Sequence, residues 1–263
     1  GDSNRGGPPL PPTAMQGAGP WPRGAVLWAA LRVALAASAA ADGAEAPPWQ
    51  VVDTPFGPLQ LREFGPHDGP LVAAIHGMGD SDYIRDEWIP TAQRLASDGF
   101  HVLAPNLHAG PEQLRPGTAT GEDMRALFVD LAMHQNNFVP ARYRSVMTPK
   151  FAVMGKSWGA KMAAEVGALE QVVGTVLVVP AFGEGYAKTA VPAIPGPLIV
   201  LMAADDDVAP ISLGSVFKEL AADRLTWVEA KAGGHRILPE FVEPIAGFLN
   251  LNRGSFSHGE LEL

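Results

Sequence analysis

A chain of 263 residues with 47% apolar side chains is long enough to bury the core of one large globular domain. Its 28 acidic residues against 19 basic ones leave a formal charge of −9, which repels phosphate backbones, so nucleic acid is excluded as a natural partner. There is no cysteine, which excludes disulfide frameworks, thiolate metal sites and a cysteine nucleophile; it leaves the compartment open, because a secreted protein need not carry disulfides.

Residues 1–24 hold six glycines and six prolines, a composition that supports neither helix nor strand and predicts a disordered tail. The chain starts at Gly1 rather than Met, as a fragment or processed product would. The apolar run from Ala25 to Ala41 is interrupted by Arg32 and is too short and too charged for a stable membrane span. With Arg23 before it and small residues up to Ala46, it resembles a targeting segment with a cleavage site; an Ala-rich surface helix is the alternative. A soluble protein is expected, cytoplasmic, or secretory or organellar if residues 23–46 are such a segment. The expected division is a tail over 1–48, a folded domain over 49–253 and a C-terminal tail over 254–263.

From Trp49 onward short apolar runs alternate with amphipathic stretches, the rhythm of a mostly parallel sheet flanked by helices. Gln50–Asp53 and Leu59–Glu63, separated by Phe56-Gly57-Pro58, predict an antiparallel hairpin. Leu71–Ile75, Val102–Ala104, Phe151–Met154, Gly174–Val179, Leu198–Met202 and Thr226–Ala230 predict strands buried on both faces, eight in all. Helices are expected over Trp88–Ala96, Glu122–Met133, Trp158–Leu169, Ser212–Leu220 and Phe241–Leu251. In the second, Met124, Leu127, Phe128, Leu131 and Ala132 form one apolar face. The link between the sixth and seventh strands, roughly residues 180–197, is proline-rich, and space for a loop only is expected there, with no room for a helical lid domain.

The chemistry-bearing residues stand just past strands. Gly155-Lys156-Ser157-Trp158-Gly159 is a G-x-S-x-G sequence between a strand and a helix, where small flanking residues let the two backbones pass closely and leave the serine hydroxyl exposed on a strained corner. His76-Gly77-Met78-Gly79 follows the strand Leu71–Ile75, and such a glycine-rich loop can aim a backbone N–H at a developing oxyanion; the first N–H of the helix at Trp158 is a natural second donor. Serine needs an imidazole to take its proton and a carboxylate to hold the imidazole tautomer. Asp205-Asp206-Asp207 after the seventh strand and Gly233-Gly234-His235 after the eighth supply both types, in the order Ser, Asp, His.

Over residues 50–250 these features resemble the alpha/beta-hydrolase superfamily, in particular its small cap-less members, and the layout is similar to the alpha/beta-hydrolase domain-containing protein 14 group. The resemblance implies an alpha/beta-hydrolase fold, an eight-stranded, mostly parallel sheet without a lid domain. It implies Ser157 as nucleophile and His235 as base, and it places the acid four residues before a proline, as Asp206 stands before Pro210. Asp205 and Asp207 are then bystanders, and Met78 and Trp158 are the oxyanion-hole residues. Lys156 and Trp158 flank the serine where many esterases carry smaller or uncharged residues. The expected activity is hydrolysis of a carboxylic ester or related acyl bond in a small-molecule substrate through an acyl-enzyme, without cofactor. Thioester, amide or carbon–carbon bond cleavage by the same triad, or a non-catalytic ligand-binding scaffold, are the alternatives. Arg142, Tyr143 and Arg144 read as a solvated loop, with contact to an anionic substrate group as the other option. His67, His101, His108, His134 and His258 show no metal-ligand spacing, so no metal is expected, and no G-x-G-x-x-G follows a strand to suggest a dinucleotide.

Overall fold

The computed structural model describes residues 45–79, 81–137, 140 and 149–256. The tail, most of the candidate targeting segment, Arg142 to Arg144 and His258 lie outside these residues. Among the described residues, no helix is long and apolar enough to cross a membrane.

Eight strands form one sheet: β1 (Gln50–Thr54), β2 (Gly57–Phe64), β3 (Leu71–Ile75), β4 (His101–Asn106), β5 (Phe151–Lys156), β6 (Val172–Val178), β7 (Leu198–Ala203) and β8 (Leu225–Ala230). Their spatial order is β1-β2-β4-β3-β5-β6-β7-β8. The hairpin β1–β2 and the β2–β4 pair are antiparallel, and every other pair is parallel. Strands β3 to β7 are buried at every position, which is why their central residues are mostly apolar instead of alternating. Strand β3 lies between β4 and β5, so the chain reverses its direction of progress across the sheet there. Such a switch point opens a crevice at the carboxyl ends of the strands.

The helices are α1 (Asp82–Asp86), α2 (Ile89–Ser97), α3 (Gly121–His134), α4 (Trp158–Gly167), α5 (Glu184–Ala193), α6 (Leu213–Ala221) and α7 (Pro239–Leu251). Neighbouring residues of β6 show that they cover both faces. A Cβ on Gly174 would touch Phe248 and Leu249 of α7, whereas Thr175 lies against Gly167 of α4, and successive strand residues point to opposite faces. Helix α3 begins one residue earlier than its apolar periodicity predicts, because Thr120 and Asp123 cap it reciprocally: the Asp123 N–H donates to Thr120 Oγ1 and the Thr120 N–H to Asp123 Oδ2.

Two helices escape the sequence reading. Helix α1 has only five residues, too few for a periodic signal. Helix α5 corrects the expectation that residues 180–197 have space for a loop only. Pro192 stands next to its last residue, so the one i→i−4 bond it forfeits lies in the final turn and the proline ends the helix without preventing it. Ala187, Ala190 and Val191 are buried, Phe182 packs edge-on against Phe217 of α6, and the Tyr186 hydroxyl donates to Glu165 Oε1 of α4 at 2.5 Å. Burial and the Glu165 carboxylate push the Tyr186 phenol far above its usual range, so it remains a donor. Helix α5 is fastened to α4 and α6 as part of the body; no lid domain is inserted.

Candidate active site

Ser157 occupies the turn between β5 and α4 with φ 60° and ψ −119°, a conformation that costs a non-glycine residue energy and persists because its surroundings enforce it. The flanking glycines do the enforcing. A Cβ on Gly155 would lie 2.1 Å from the Gly159 oxygen, and one on Gly159 would lie 2.3 Å from the Ile75 oxygen and 2.4 Å from that of His76. The start of α4 is thereby pressed against the end of β3, bringing the serine beside the His76 to Gly79 loop.

His235 reaches the same point from the loop after β8. Its Nε2 is 2.7 Å from Ser157 Oγ, and its Nδ1 is 2.9 Å from Asp206 Oδ2 and 3.2 Å from Oδ1. A carboxylate only accepts, so Nδ1 carries the proton and Nε2 offers its lone pair to the serine hydroxyl. The Asp206 side chain is fully buried, and its Oδ1 accepts the N–H groups of Val208 at 2.9 Å and Ala209 at 2.8 Å, which fix the carboxylate plane. Sequence reading left this carboxylate to family resemblance; the buried Asp206 is the one in contact with His235, while Asp205 and Asp207 are exposed.

Asp205, which does not touch the imidazole, bonds to the loop that carries it. Its Oδ1 accepts the N–H groups of Gly233 and Gly234, each at 2.9 Å, and these two bonds hold its carboxyl below the usual aspartate range. Both glycines have positive φ, 142° and 63°, so the loop presenting His235 takes a shape that needs glycine, and Asp205 pins it. The signal was present in the Gly-Gly pair, but nothing in the sequence says which acidic residue meets it.

Met78 and Trp158, the expected oxyanion donors, lie at the ends of β3 and β5. Trp158 opens α4, where backbone N–H groups lack intrahelical acceptors, and among the described residues neither N–H donates to a backbone acceptor. His76 serves as a loop brace: Nδ1 donates to the Gly77 oxygen at 2.7 Å, Nε2 accepts the Leu107 N–H at 3.0 Å, and its ring stacks on His108. Lys156, whose role the sequence left open, is buried and pairs with Glu87 at 3.2 Å.

The dienelactone hydrolase family profile matches residues 72–226, well over half of the chain. The chain belongs to the dienelactone hydrolase family. The match spans Ser157 and Asp206 and ends before His235. The protein is therefore a hydrolase of the alpha/beta-hydrolase superfamily, and its solved structural relatives agree in fold. A lid-less serine hydrolase of Xanthomonas campestris aligns with TM-score 0.57 and 14% identity over 82% of this chain and 98% of that one. A predicted CIB-like hydrolase of Thermoplasma acidophilum gives 0.58 and 19% over 78% and 98%. The thioesterase domain from the curacin biosynthetic pathway gives 0.58 and 12% over 78% and 100%. No curated protein matches the chain.

Proposed function

We propose that this member of the dienelactone hydrolase family is a serine hydrolase that cleaves a carboxylic ester, or a related acyl bond, through an acyl-enzyme. The observation that carries the reading is the continuous hydrogen-bonded line from Ser157 Oγ through both nitrogens of His235 to the buried Asp206 carboxylate. His235 Nε2 takes the Ser157 proton as Oγ attacks the acyl carbon, and Asp206 stabilises the imidazolium that forms. The negative charge on the former carbonyl oxygen is met by the backbone N–H groups of Met78 and Trp158. Protonated His235 then delivers its proton to the leaving alkoxide, and water activated by the same imidazole releases the acid and restores the serine.

A fluorophosphonate probe should label Ser157 alone, and an activated ester should give a burst of alcohol equal to the enzyme concentration. The Ser157→Ala protein should fold normally and do neither. Undiminished labelling in that variant would overturn the assignment. A panel of activated esters, thioesters and amides then defines the leaving group.

A further inference from the structure

Lys156 presents an unusual arrangement directly before the proposed nucleophile. The ammonium of Lys156 and the carboxylate of Glu87, at the junction of α1 and α2, are 3.2 Å apart with side chains only 4% and 3% exposed. Desolvating both charges costs about as much as their attraction returns, and apolar residues of similar volume would stabilise such a spot as well or better. Stability alone does not account for the pair, so its location is the better guide.

Because Gly155 faces α4, Lys156 points to the opposite face of the sheet, under the loop that leaves β3. A Cβ on Gly77 would lie 3.3 Å from Lys156 Cδ and 3.6 Å from its Nζ, and one on Gly79 would lie 3.0 Å from Ile84 Cδ1. The loop containing Met78 thus rests on a floor made by the Lys156 chain and Ile84. Trp88, next to Glu87, donates its indole N–H to the Ile75 oxygen at 3.1 Å. The α1–α2 junction therefore grips the end of β3 with one residue and the end of β5 with its neighbour.

We propose that Lys156, clamped by Glu87, is a positioning residue that fixes the Gly77 to Gly79 loop against the serine turn and so sets where the Met78 N–H points during acyl transfer. The inference rests on the serine-hydrolase reading above. Attraction between the two buried charges keeps the ammonium close to the Glu87 carboxylate, so it holds the lysine chain beneath the loop; a neutral flexible chain fills the space without fixing it. The pair should therefore matter to the transition state more than to substrate binding.

The test uses the full chain carrying Lys156→Met together with Glu87→Met. The single Lys156→Met change leaves a buried carboxylate without its lysine and destabilises the protein, whereas the double change removes both charges and keeps the volume. With an activated ester, kcat should fall by about tenfold to hundredfold, the scale on which small misplacements act. KM should stay within about threefold, because the loop's aim is lost rather than substrate contact. The melting temperature should not fall and the midpoint of the pH profile of kcat/KM should not move, and fluorophosphonate labelling of Ser157 should slow in parallel with kcat. A double variant with wild-type kcat would overturn the proposal, as would a loss of kcat that merely tracks the unfolded fraction. Failure of the serine-hydrolase reading shows separately and overturns both: the wild-type protein itself would take no label at Ser157.

Discussion

Two of the histidine–carboxylate pairs sit at opposite edges of the sheet, and they differ in what faces the second ring nitrogen. At the carboxyl edge, His235 donates from Nδ1 to Asp206 and turns Nε2 toward the Ser157 hydroxyl, with its side chain 18% exposed. At the amino edge, His101, the first residue of β4, is fully buried, and its Nε2 lies 2.9 Å from Glu63 Oε2. Its Nδ1 faces the Asn136 amide nitrogen at 3.0 Å, and that nitrogen also donates to the carbonyls of Gly69 at 3.0 Å and His67 at 3.3 Å. Those carbonyls require the NH₂ end of Asn136 there, so His101 Nδ1 accepts and its proton resides on Nε2. Both imidazoles are thus locked in one tautomer by a carboxylate on one side. A lone pair aimed at the serine hydroxyl suits one to the base role proposed for it; a lone pair spent on an amide makes a structural pin of the other.

The same bonds bear on the grouping of Glu63, His67 and His101, whose ligand atoms lie within 4.8 Å of one another. To bind a metal through Nε2, His101 would have to move its proton to Nδ1, against the Asn136 amide hydrogens. The geometry favours hydrogen bonding over ligation.

The largest effect should come from breaking the carboxyl-edge tautomer lock. In Asp206→Asn the Val208 and Ala209 N–H groups keep the amide oxygen where Oδ1 now accepts them, which leaves the NH₂ facing His235 Nδ1. The imidazole proton is then driven to Nε2, where it points at the serine and can no longer accept. A drop in kcat of about 10⁴-fold is expected, with the fold intact, by steady-state kinetics beside a melting curve. A loss below about tenfold would mean that His235 does not depend on this carboxylate.

This comparison also marks how far the sequence could be read. The buried strands announce themselves as unbroken apolar runs, and the serine turn by glycines at the two positions where a Cβ would strike backbone. Asp206 among three consecutive aspartates was reachable only through a family's spacing to Pro210, since burial decides between them and burial is a property of the folded turn. Glu63 to His101, Asn136 to His101 and Glu87 to Lys156 are separated by 38, 35 and 69 positions, each joined only by strand order and helix packing. No local pattern records such meetings. Helix α5 was missed for a different reason: its proline is a breaker by composition, but it stands where the helix already ends.

At the amino edge the expected effect is on stability instead. Asn136→Ala removes a fully buried amide and leaves His101 Nδ1 and the Gly69 carbonyl without their donor, at a cost of about 1–3 kcal/mol. Chemical denaturation should show this as a lower midpoint with an unchanged slope, while kcat of the folded fraction stays within about twofold. A kcat that falls as steeply as in the carboxyl-edge variants would erase the distinction between pin and base.

The smallest effect sharpens the comparison within the active site, by separating the carboxylate that touches His235 from the one that shapes its loop. Asp205→Ala deletes the acceptor of the Gly233 and Gly234 N–H groups, whereas Asp205→Asn keeps an oxygen there. The alanine variant should lose about threefold to tenfold in kcat as the imidazole is held less firmly, and the asparagine variant should retain most of the activity. The pH dependence has a defined sign. Those two N–H groups hold the folded carboxyl below its unfolded value of about 3.9, so its contribution to stability is complete above that value and is lost as pH falls through the lower folded one. The difference in melting temperature between the wild-type and Asp205→Ala proteins should therefore be constant near neutrality and close in acid. An asparagine variant as impaired as alanine would show that Asp205 acts through its charge on His235 rather than through the loop, and a melting difference that failed to close in acid would show that the ionised carboxylate does not carry its contribution to stability.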